Sequence, residues 1–290
     1  MNRFLCKIVT VVLLLFFANV VNSANYVLDD QGTKISSEKP ARRIISLAPH
    51  LTEMLFSAGA GQYIVGTVSY SDYPVAAKNI KRIGLHDKLS LEDIIALRPD
   101  LIVAWESGNP HYIVEKLKSL GFVVFISEPR KLLDIPDSVK RLSLLTHTEP
   151  VIKVKQYLEK YNKLKTKYSS KKEVKLFYQF WNNPLMTING EHLISNVMHL
   201  CGAKNIFGEL AMLAPAVSVE AVVDSNVEVI IVGGLLEQHT QWLNNWKKWL
   251  QLPAVKNKQL YNINPDLLQR HTLRIIDGAE TLCEKVDLAR

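Results

Sequence analysis

Two histidines of this chain are candidate metal ligands. His50 and His271 fall in segments that we interpret as loops, and these loops could meet in a cleft. Neutral imidazole is the commonest metal ligand among side chains, so such a meeting would suit a metal or a haem iron. The eight histidines nevertheless show no metal-ligand spacing. An isolated histidine in a loop is usually exposed to solvent and has no functional role. We therefore predict no metal site of the protein's own.

The signatures of common enzyme active sites are missing from the sequence. It contains no G-x-S-x-G elbow, P-loop, G-x-G-x-x-G, H-E-x-x-H or C-x-x-C. Missing motifs do not exclude catalysis, but they favour a binding protein. We therefore expect no enzymatic activity.

Two glutamates, Glu53 and Glu220, each open a predicted apolar helix, one in each half of the chain. An exposed acid in the first turn of a helix is favoured by the helix dipole by roughly 0.3–1 kcal/mol. The plain interpretation is therefore helix capping. The alternative is a matched pair of acidic side chains presented to a partner.

Length and composition indicate a two-domain globular protein. The 290 residues exceed the usual size of one domain, and 48% hydrophobic with 22% charged residues is ordinary for a folded chain. The formal net charge is +7, but the lysines are spread over helical stretches. Nucleic-acid binding would need them clustered on one face, so we predict no nucleic-acid partner.

The N-terminus has the pattern of a secretory signal peptide over residues 1–23. Arg3 and Lys7 form a basic start, an eleven-residue apolar core follows at 8–18, and small residues at Ser23/Ala24 mark cleavage. The apolar core is shorter than the about 20 residues of a membrane span. Removing the segment lowers the formal net charge from +7 to +5. The mature protein is expected to be exported and soluble.

Cleavage leaves two of the three cysteines, Cys201 and Cys283. Two cysteines in an exported chain favour one disulfide. Two buried free thiols are the alternative.

Short apolar runs alternate with helical patterns along both halves, which predicts α/β architecture with mostly parallel sheets. The predicted strands are 44–48, 64–68, 101–105, 123–126, 174–180, 228–232 and 259–264. The predicted helices include 52–58, 91–97, 112–120, 193–200 and a last helix from about 273. Between the halves, apolar residues recur at helical spacing over 149–168, which predicts one long amphipathic helix of about 30 Å.

Several strings of residues carry a resemblance to one family. They are Ala48-Pro49-x-x-Thr52-Glu53, Ser69-Tyr70-Ser71-Asp72-Tyr73-Pro74, the segment Leu97 to Trp105, Gly108-Asn109, Leu176-x-x-Gln179-Phe180, Asn182-x-Pro184, Cys201-Gly202-x-x-Asn205-Ile206-Phe207 and Arg270-x-x-x-Arg274. In this order and spacing they resemble the periplasmic cobalamin-binding proteins of bacterial ABC importers. The match runs from about Pro40 to Cys283 and so covers nearly the whole mature chain.

The resemblance implies two Rossmann-like α/β lobes joined by a single long helix, with the ligand in the cleft between them. The corresponding segments are an N-terminal lobe at 24–147, a linking helix at 148–170 and a C-terminal lobe at 171–290. It implies a disulfide between Cys201 and Cys283, a periplasmic location and no cofactor, cobalamin being the transported ligand.

The resemblance also implies which residues bind ligand and which dock on the transporter. The cleft residues that it implies are Pro49, Tyr70, Trp105, Gly108, Asn109, Phe180, Trp181, Gln269 and Arg270. We add His50, from its predicted loop, and His86, from a segment that departs from the family, as candidate ligand-binding residues. Glu53 and Glu220 match the acids that pair with arginines on the membrane subunits of the importer. The free protein is expected to be a monomer.

The chain departs from the family at three aromatic positions. Gly84-Leu85-His86-Asp87, Ala214-Pro215 and Leu267 stand where the family carries tryptophans. These losses leave the ligand open to a smaller corrinoid, a haem or an iron–siderophore complex. In the last two cases His86 or His271 becomes a candidate metal ligand.

Overall fold

The computed structural model describes residues 26–150, 153–233 and 239–290. The predicted signal segment 1–23 lies outside these residues. The described chain forms two α/β lobes, each built on a four-stranded parallel sheet. The predicted fold class is confirmed.

The N-terminal lobe has the strand order β4-β3-β5-β6. Its elements are β1 (Tyr26–Leu28), β2 (Lys34–Ser36), β3 (Ile44–Ser46), α1 (Pro49–Ser57), β4 (Ile64–Thr67), α2 (Leu91–Ala96), β5 (Leu101–Trp105), α3 (His111–Ser119), β6 (Val124–Ser127) and α4 (Asp134–Thr146). Strands β1 and β2 form a small separate antiparallel pair. Because β3 is followed by β4 on one side and β5 lies on its other side, the chain reverses direction across the sheet between β3 and β5. Such a switch point opens a crevice at the carboxyl ends of the strands.

The C-terminal lobe repeats this plan with the order β10-β9-β7-β8. It follows the linking helix α5 (Lys153–Tyr168) and contains β7 (Val174–Gln179), α6 (Leu193–Leu200), β8 (Ala203–Asn205), α7 (Val219–Asp224), β9 (Val229–Val232), α8 (His239–Lys247), α9 (Pro253–Lys256), β10 (Leu260–Asn262), α10 (Pro265–Leu268) and α11 (Ile275–Asp287). Its switch point lies between β7 and β9.

The linking helix α5 packs into a hydrophobic core that it shares with both lobes. Its residues Val154, Tyr157, Leu164 and Tyr168 are buried within one continuous cluster that covers one face of each sheet. The Tyr157 hydroxyl donates to the carbonyl of Leu132, 2.7 Å away, and so ties the helix to the N-terminal lobe. A core continuous between the lobes resists large relative motion.

The structure corrects several of the sequence-based elements, and two corrections concern helices near the site. Helix α1 begins at Pro49 rather than at residue 52, because proline fits the first helical position, where no N–H donor is needed. Helix α4 was not predicted at all, although Ile135, Val139 and Leu142 bury one face of it.

The predicted disulfide between Cys201 and Cys283 is present and joins the end of α6 to α11. It closes a loop of 82 residues, for which the chain-entropy model gives a stabilisation of about 4–5 kcal/mol. We expect Cys201→Ser with Cys283→Ser to lower the free energy of unfolding by up to about that amount. Ligand affinity should stay unchanged, since the bond lies away from the cleft. Urea unfolding of both forms measures this, and equal midpoints would contradict it.

Within the described residues, no helix combines the length and the apolar character needed to cross a membrane.

Candidate functional site

A chain of aromatic rings runs across the boundary between the two lobes. Phe180 lies 6.4 Å from His192, and His192 lies 5.8 Å from His271 (ring centroids). His271 lies 5.7 Å from His50 and 6.4 Å from Trp105 of the N-terminal lobe. His50 and His271 therefore meet between the lobes, as the sequence analysis proposed.

The switch points of the two sheets position these rings. Trp105 is the last residue of β5, and His50 is the second residue of α1, which follows β3. The sequence predicted that His50 lies in a loop. That prediction is wrong, because His50 lies in the first turn of a helix. Phe180 directly follows β7, and His271 lies between α10 and α11. Both crevices at the carboxyl ends of the strands therefore face one shared site.

Three polar atoms of the ring cluster are buried without a hydrogen-bond partner. They are Nε2 of His50, Nε1 of Trp105 and Nδ1 of His271. His50 is 5% exposed and His271 is 7% exposed. An unsatisfied buried polar group costs about 1–3 kcal/mol, so a cluster of three marks a place where a polar partner would be favoured.

Burial keeps the histidines of the cluster neutral. It lowers the pKa of His271 to about 4, with the nearby Arg130 charge adding to the effect. Burial also lowers the pKa of His192 to about 3, helped by His271 and Arg130. The pKa of His50 is held well below its usual value, first by burial and then by His271, Arg270 and His86.

We expect stability to fall as the pH drops from about 6.5 to about 4.5. In this window a histidine of the unfolded chain, with a pKa near 6.5, is protonated. Buried His271 of the folded protein, with a pKa of about 4, stays neutral. Because the unfolded state then holds more protons, each such histidine lowers the free energy of unfolding by about 1.4 kcal/mol per pH unit. Urea unfolding of the wild type and of His271→Asn at both pH values measures this. Equal pH slopes for the two proteins would contradict it.

Asn109 holds the end of β5 in place. Its Oδ1 accepts from the backbone N–H of Trp105 at 2.7 Å, and its Nδ2 donates to the carbonyls of Leu47 and His86 at 2.9 and 2.8 Å. Both amide protons are thus used within the protein. In the structure Asn109 positions Trp105, and its role as a ligand-binding residue stays a prediction.

Gly108 lies against the indole of Trp105. A methyl group added at this position would overlap the six-membered ring of that indole. We therefore expect Gly108→Ala to displace the indole and to weaken ligand binding about tenfold or more, which corresponds to 1.4 kcal/mol. Calorimetric titration checks this. Tyr112→Ala, which removes an exposed ring on the following helix, is the control. Equal affinities for the two variants would contradict the expectation.

Two arginines of the C-terminal lobe bridge the lobes beside the rings. Arg270 pairs with Asp72 at 2.7 Å, and its second terminal nitrogen approaches the carbonyl of Tyr70 at 3.5 Å. Arg274 makes two 2.7 Å hydrogen bonds to the carboxylate of Glu53 and stacks on Tyr73, 3.9 Å from the ring centroid. Burial alone would lower the pKa of Arg274, but its hydrogen bonds and charge pairing with Glu53 raise it.

The two acids singled out from the sequence lie in different surroundings. Glu220 is exposed in the first turn of α7, as expected. Glu53 lies one turn inside α1, is 3% exposed and forms an ion pair with Arg274. The expectation of an exposed acid that opens its helix is therefore wrong for Glu53, because Pro49 moves the start of the helix forward.

Among the remaining proposed ligand-binding residues, Tyr70, His86 and Pro49 lie near the ring cluster. Tyr70, 73% exposed with a φ of +66°, stands opposite Arg270. His86 lies 6.1 Å from Trp105, and the half-buried Pro49 precedes His50. The side-chain amide of Gln269 bonds within the protein, since its Nε2 donates to the Gly233 carbonyl at 2.6 Å.

Trp181 does not join the ring chain. It is 44% exposed and stacks edge-on against Trp242 at 5.8 Å. Its Nε1 donates to the carbonyl of Asn183.

Sequence reasoning missed His192 as part of the site. It is the N-cap of α6, where its Nδ1 accepts the backbone N–H of Ile194 at 3.1 Å. A histidine directly before an apolar helical pattern was the available signal. Within the described ranges, no three histidine, cysteine, aspartate or glutamate side chains are grouped to hold a metal ion.

Comparison with known proteins agrees with this architecture. A family model described as periplasmic binding protein matches residues 44–267, which is well over half of the chain and includes both lobes. The chain belongs to the periplasmic binding protein family. It is therefore a substrate-binding protein of the periplasm rather than an enzyme, with a ligand and an ABC transporter as partners.

Relatives of this binding protein carry more specific names. It is 36% identical over 255 residues to the vitamin B12-binding protein of Vibrio cholerae serotype O1, covering 87% of this chain and 91% of that one. The crystal structure of the periplasmic vitamin B12 binding protein BtuF of Vibrio cholerae matches with a TM-score of 0.78 at 35% identity, covering 86% and 98%.

The fold extends to binding proteins for other ligands. The haem-binding protein RhuT from Roseiflexus sp. RS-1 matches with a TM-score of 0.72 at 18% identity, covering 86% of this chain and all of that one. At that identity the likeness shows the fold alone.

Proposed function

We propose that this protein captures cobalamin, or a related corrinoid, in the cleft between its lobes and delivers it to an ABC importer. One observation carries the proposal: the ring cluster of His50, Trp105 and His271, with its three unpartnered buried polar atoms, lies where both sheets open their crevices. The named relatives that cover most of the chain give the class of ligand.

The chemistry of the cleft suits a corrinoid. A corrinoid is a large, flat and partly apolar ring that carries amide side chains, and aromatic faces such as Trp105 and Phe180 bind flat apolar surface well. Arg270 and the carbonyl of Tyr70, 3.5 Å apart beside the rings, supply a donor and an acceptor of the kind that peripheral amides need. The protein binds its ligand without transforming it, so its specificity is the difference between its affinities for competing ligands.

Ligand entry requires the interlobe contacts to separate. The rings of His50 and His271 touch across the cleft, and the Arg270–Asp72 pair closes its rim. The shared core along α5 stays intact in this movement, so we infer a small opening of the lobes about the linking helix.

Titration of the mature protein with cobalamin and, separately, with haem tests the function. We expect calorimetry to give one cobalamin site per chain. No cobalamin binding at tens of micromolar would overturn the proposal. A haem Soret shift that disappears in His271→Ala would favour the haem alternative. If neither ligand binds, the ring cluster serves only to pack the two lobes together.

Delivery to the importer requires the protein to be exported and to dock on the membrane subunits. We infer that Glu220 on one lobe and Glu53 on the other pair with arginines of the two membrane subunits. We further infer that cleavage near Ser23/Ala24 releases the mature chain, which is monomeric when free and binds no nucleic acid. Mass spectrometry of the exported protein and light scattering test the last inferences.

A further inference from the structure

Among the unpartnered atoms of the cleft, Nε2 of His50 is the one best suited to bind a metal centre. It is the ring nitrogen farther from the backbone, and the first turn of α1 fixes the residue that carries it. The edge-on contact with Trp105, with centroids 5.0 Å apart, restrains the imidazole further. The ring is thus held in place before any ligand enters.

The surroundings leave this nitrogen free to act as an electron-pair donor. A neutral imidazole has one nitrogen that carries a proton and one with a lone pair. Burial disfavours the protonated imidazolium, so the lone pair of His50 is not lost to a proton at neutral pH. With the side chain 95% buried and Nε2 without a partner, the lone pair of the ring can be offered to a ligand in the cleft.

We propose that Nε2 of His50 coordinates the cobalt of the bound corrinoid. This inference rests on the proposed function, because it requires a corrinoid in the cleft. The step is a ligand exchange at Co(III): a cobalt–water bond breaks, a cobalt–nitrogen bond forms, and one water molecule leaves. Cobalt keeps its oxidation state, and no net proton is released because the imidazole is already neutral and holds its one ring proton on Nδ1 when Nε2 coordinates.

The exchange gives the cleft a preference among corrinoids. Aquocobalamin has a weakly held water at the upper axial position, whereas cyanocobalamin has a strongly held cyanide there. Only the first can accept the histidine readily. We therefore expect the wild-type protein to bind aquocobalamin about 10- to 100-fold more tightly than cyanocobalamin, as one additional satisfied buried nitrogen allows.

Absorbance titration with both corrinoids tests the assignment. Aquocobalamin should change its spectrum on binding, toward that of an imidazole adduct, and cyanocobalamin should keep its spectrum. In His50→Ala the spectral change and the preference for aquocobalamin should both disappear, so that the two corrinoids bind with affinities equal to within about threefold. His271→Ala and the exposed His111→Ala should keep the spectral change.

Each result decides one of the two proposals. If both corrinoids bind without a spectral change or a preference, the coordination is wrong while the function stands. If His271→Ala loses the change and His50→Ala keeps it, the assignment to His50 is wrong. If neither corrinoid binds, the proposed function itself fails.

Discussion

Replacing Trp105 by alanine should lower the affinity for cobalamin by about 30- to 1000-fold, or about 2–4 kcal/mol. Aromatic residues at the centre of a binding site commonly carry this much energy, because they bury a large apolar face. Trp105 ends β5 at the switch point of its sheet and contacts His50 of its own lobe and His271 across the cleft. Its indole N–H is buried without a partner and would gain one from a polar group of the ligand.

Trp249→Ala is the matched control for this prediction. Trp249 is also half-buried and also has an unpartnered Nε1, but it packs against the outer face of the C-terminal sheet. We expect its removal to reduce stability without changing cobalamin affinity by more than about threefold. Similar losses of affinity in both variants, measured by calorimetry, would show that Trp105 does not bind the ligand.

Replacing Glu53 and Glu220 together by alanine should abolish most transport and leave cobalamin binding intact. Charge pairs with a partner mainly fix orientation and speed encounter, so losing one on each lobe removes both points of attachment. Glu220 is exposed and available. Glu53 is bound by Arg274, so docking through it requires a transporter arginine to replace that partner.

Arg274→Ala separates the two possible roles of Glu53. Like Glu53→Ala it removes the ion pair between the lobes, but it leaves the carboxylate free. If Glu53 docks on the transporter, Glu53→Ala impairs transport in reconstituted vesicles and Arg274→Ala does not. Equal impairment would show that the ion pair matters only within the protein. Normal transport by the Glu53 and Glu220 double variant would reduce both acids to structural residues.

The sequence predicted seven of the eight strands in the two parallel sheets, because buried parallel strands appear as short apolar runs. Strand β8 was missed because Ala203–Asn205 contains no such run. The strand at 101–105 was predicted to the residue, and the interval between the lobes contains the helix Lys153–Tyr168 as expected. Helix starts were harder to place, since Pro49 was interpreted as part of a turn. Helix α4 was not predicted, although its apolar residues recur with helical spacing.

The sequence predicted the site partly from local patterns and partly from the family resemblance. His50 and His271 were paired from their predicted loops, and Trp105 was assigned to the cleft by the resemblance. The ion pair of Glu53 with Arg274 joins residues 221 positions apart. No local pattern encodes such a pair, because it depends on how the two lobes pack.

A crystal structure of the protein with cyanocobalamin tests the central claim most directly. We predict one corrinoid between the lobes, in contact with Trp105 and Phe180, and the rings of His50 and His271 moved apart from their present separation of 5.7 Å. Cobalamin bound elsewhere, or crystals grown in saturating cobalamin whose cleft keeps these interlobe ring contacts, would contradict it.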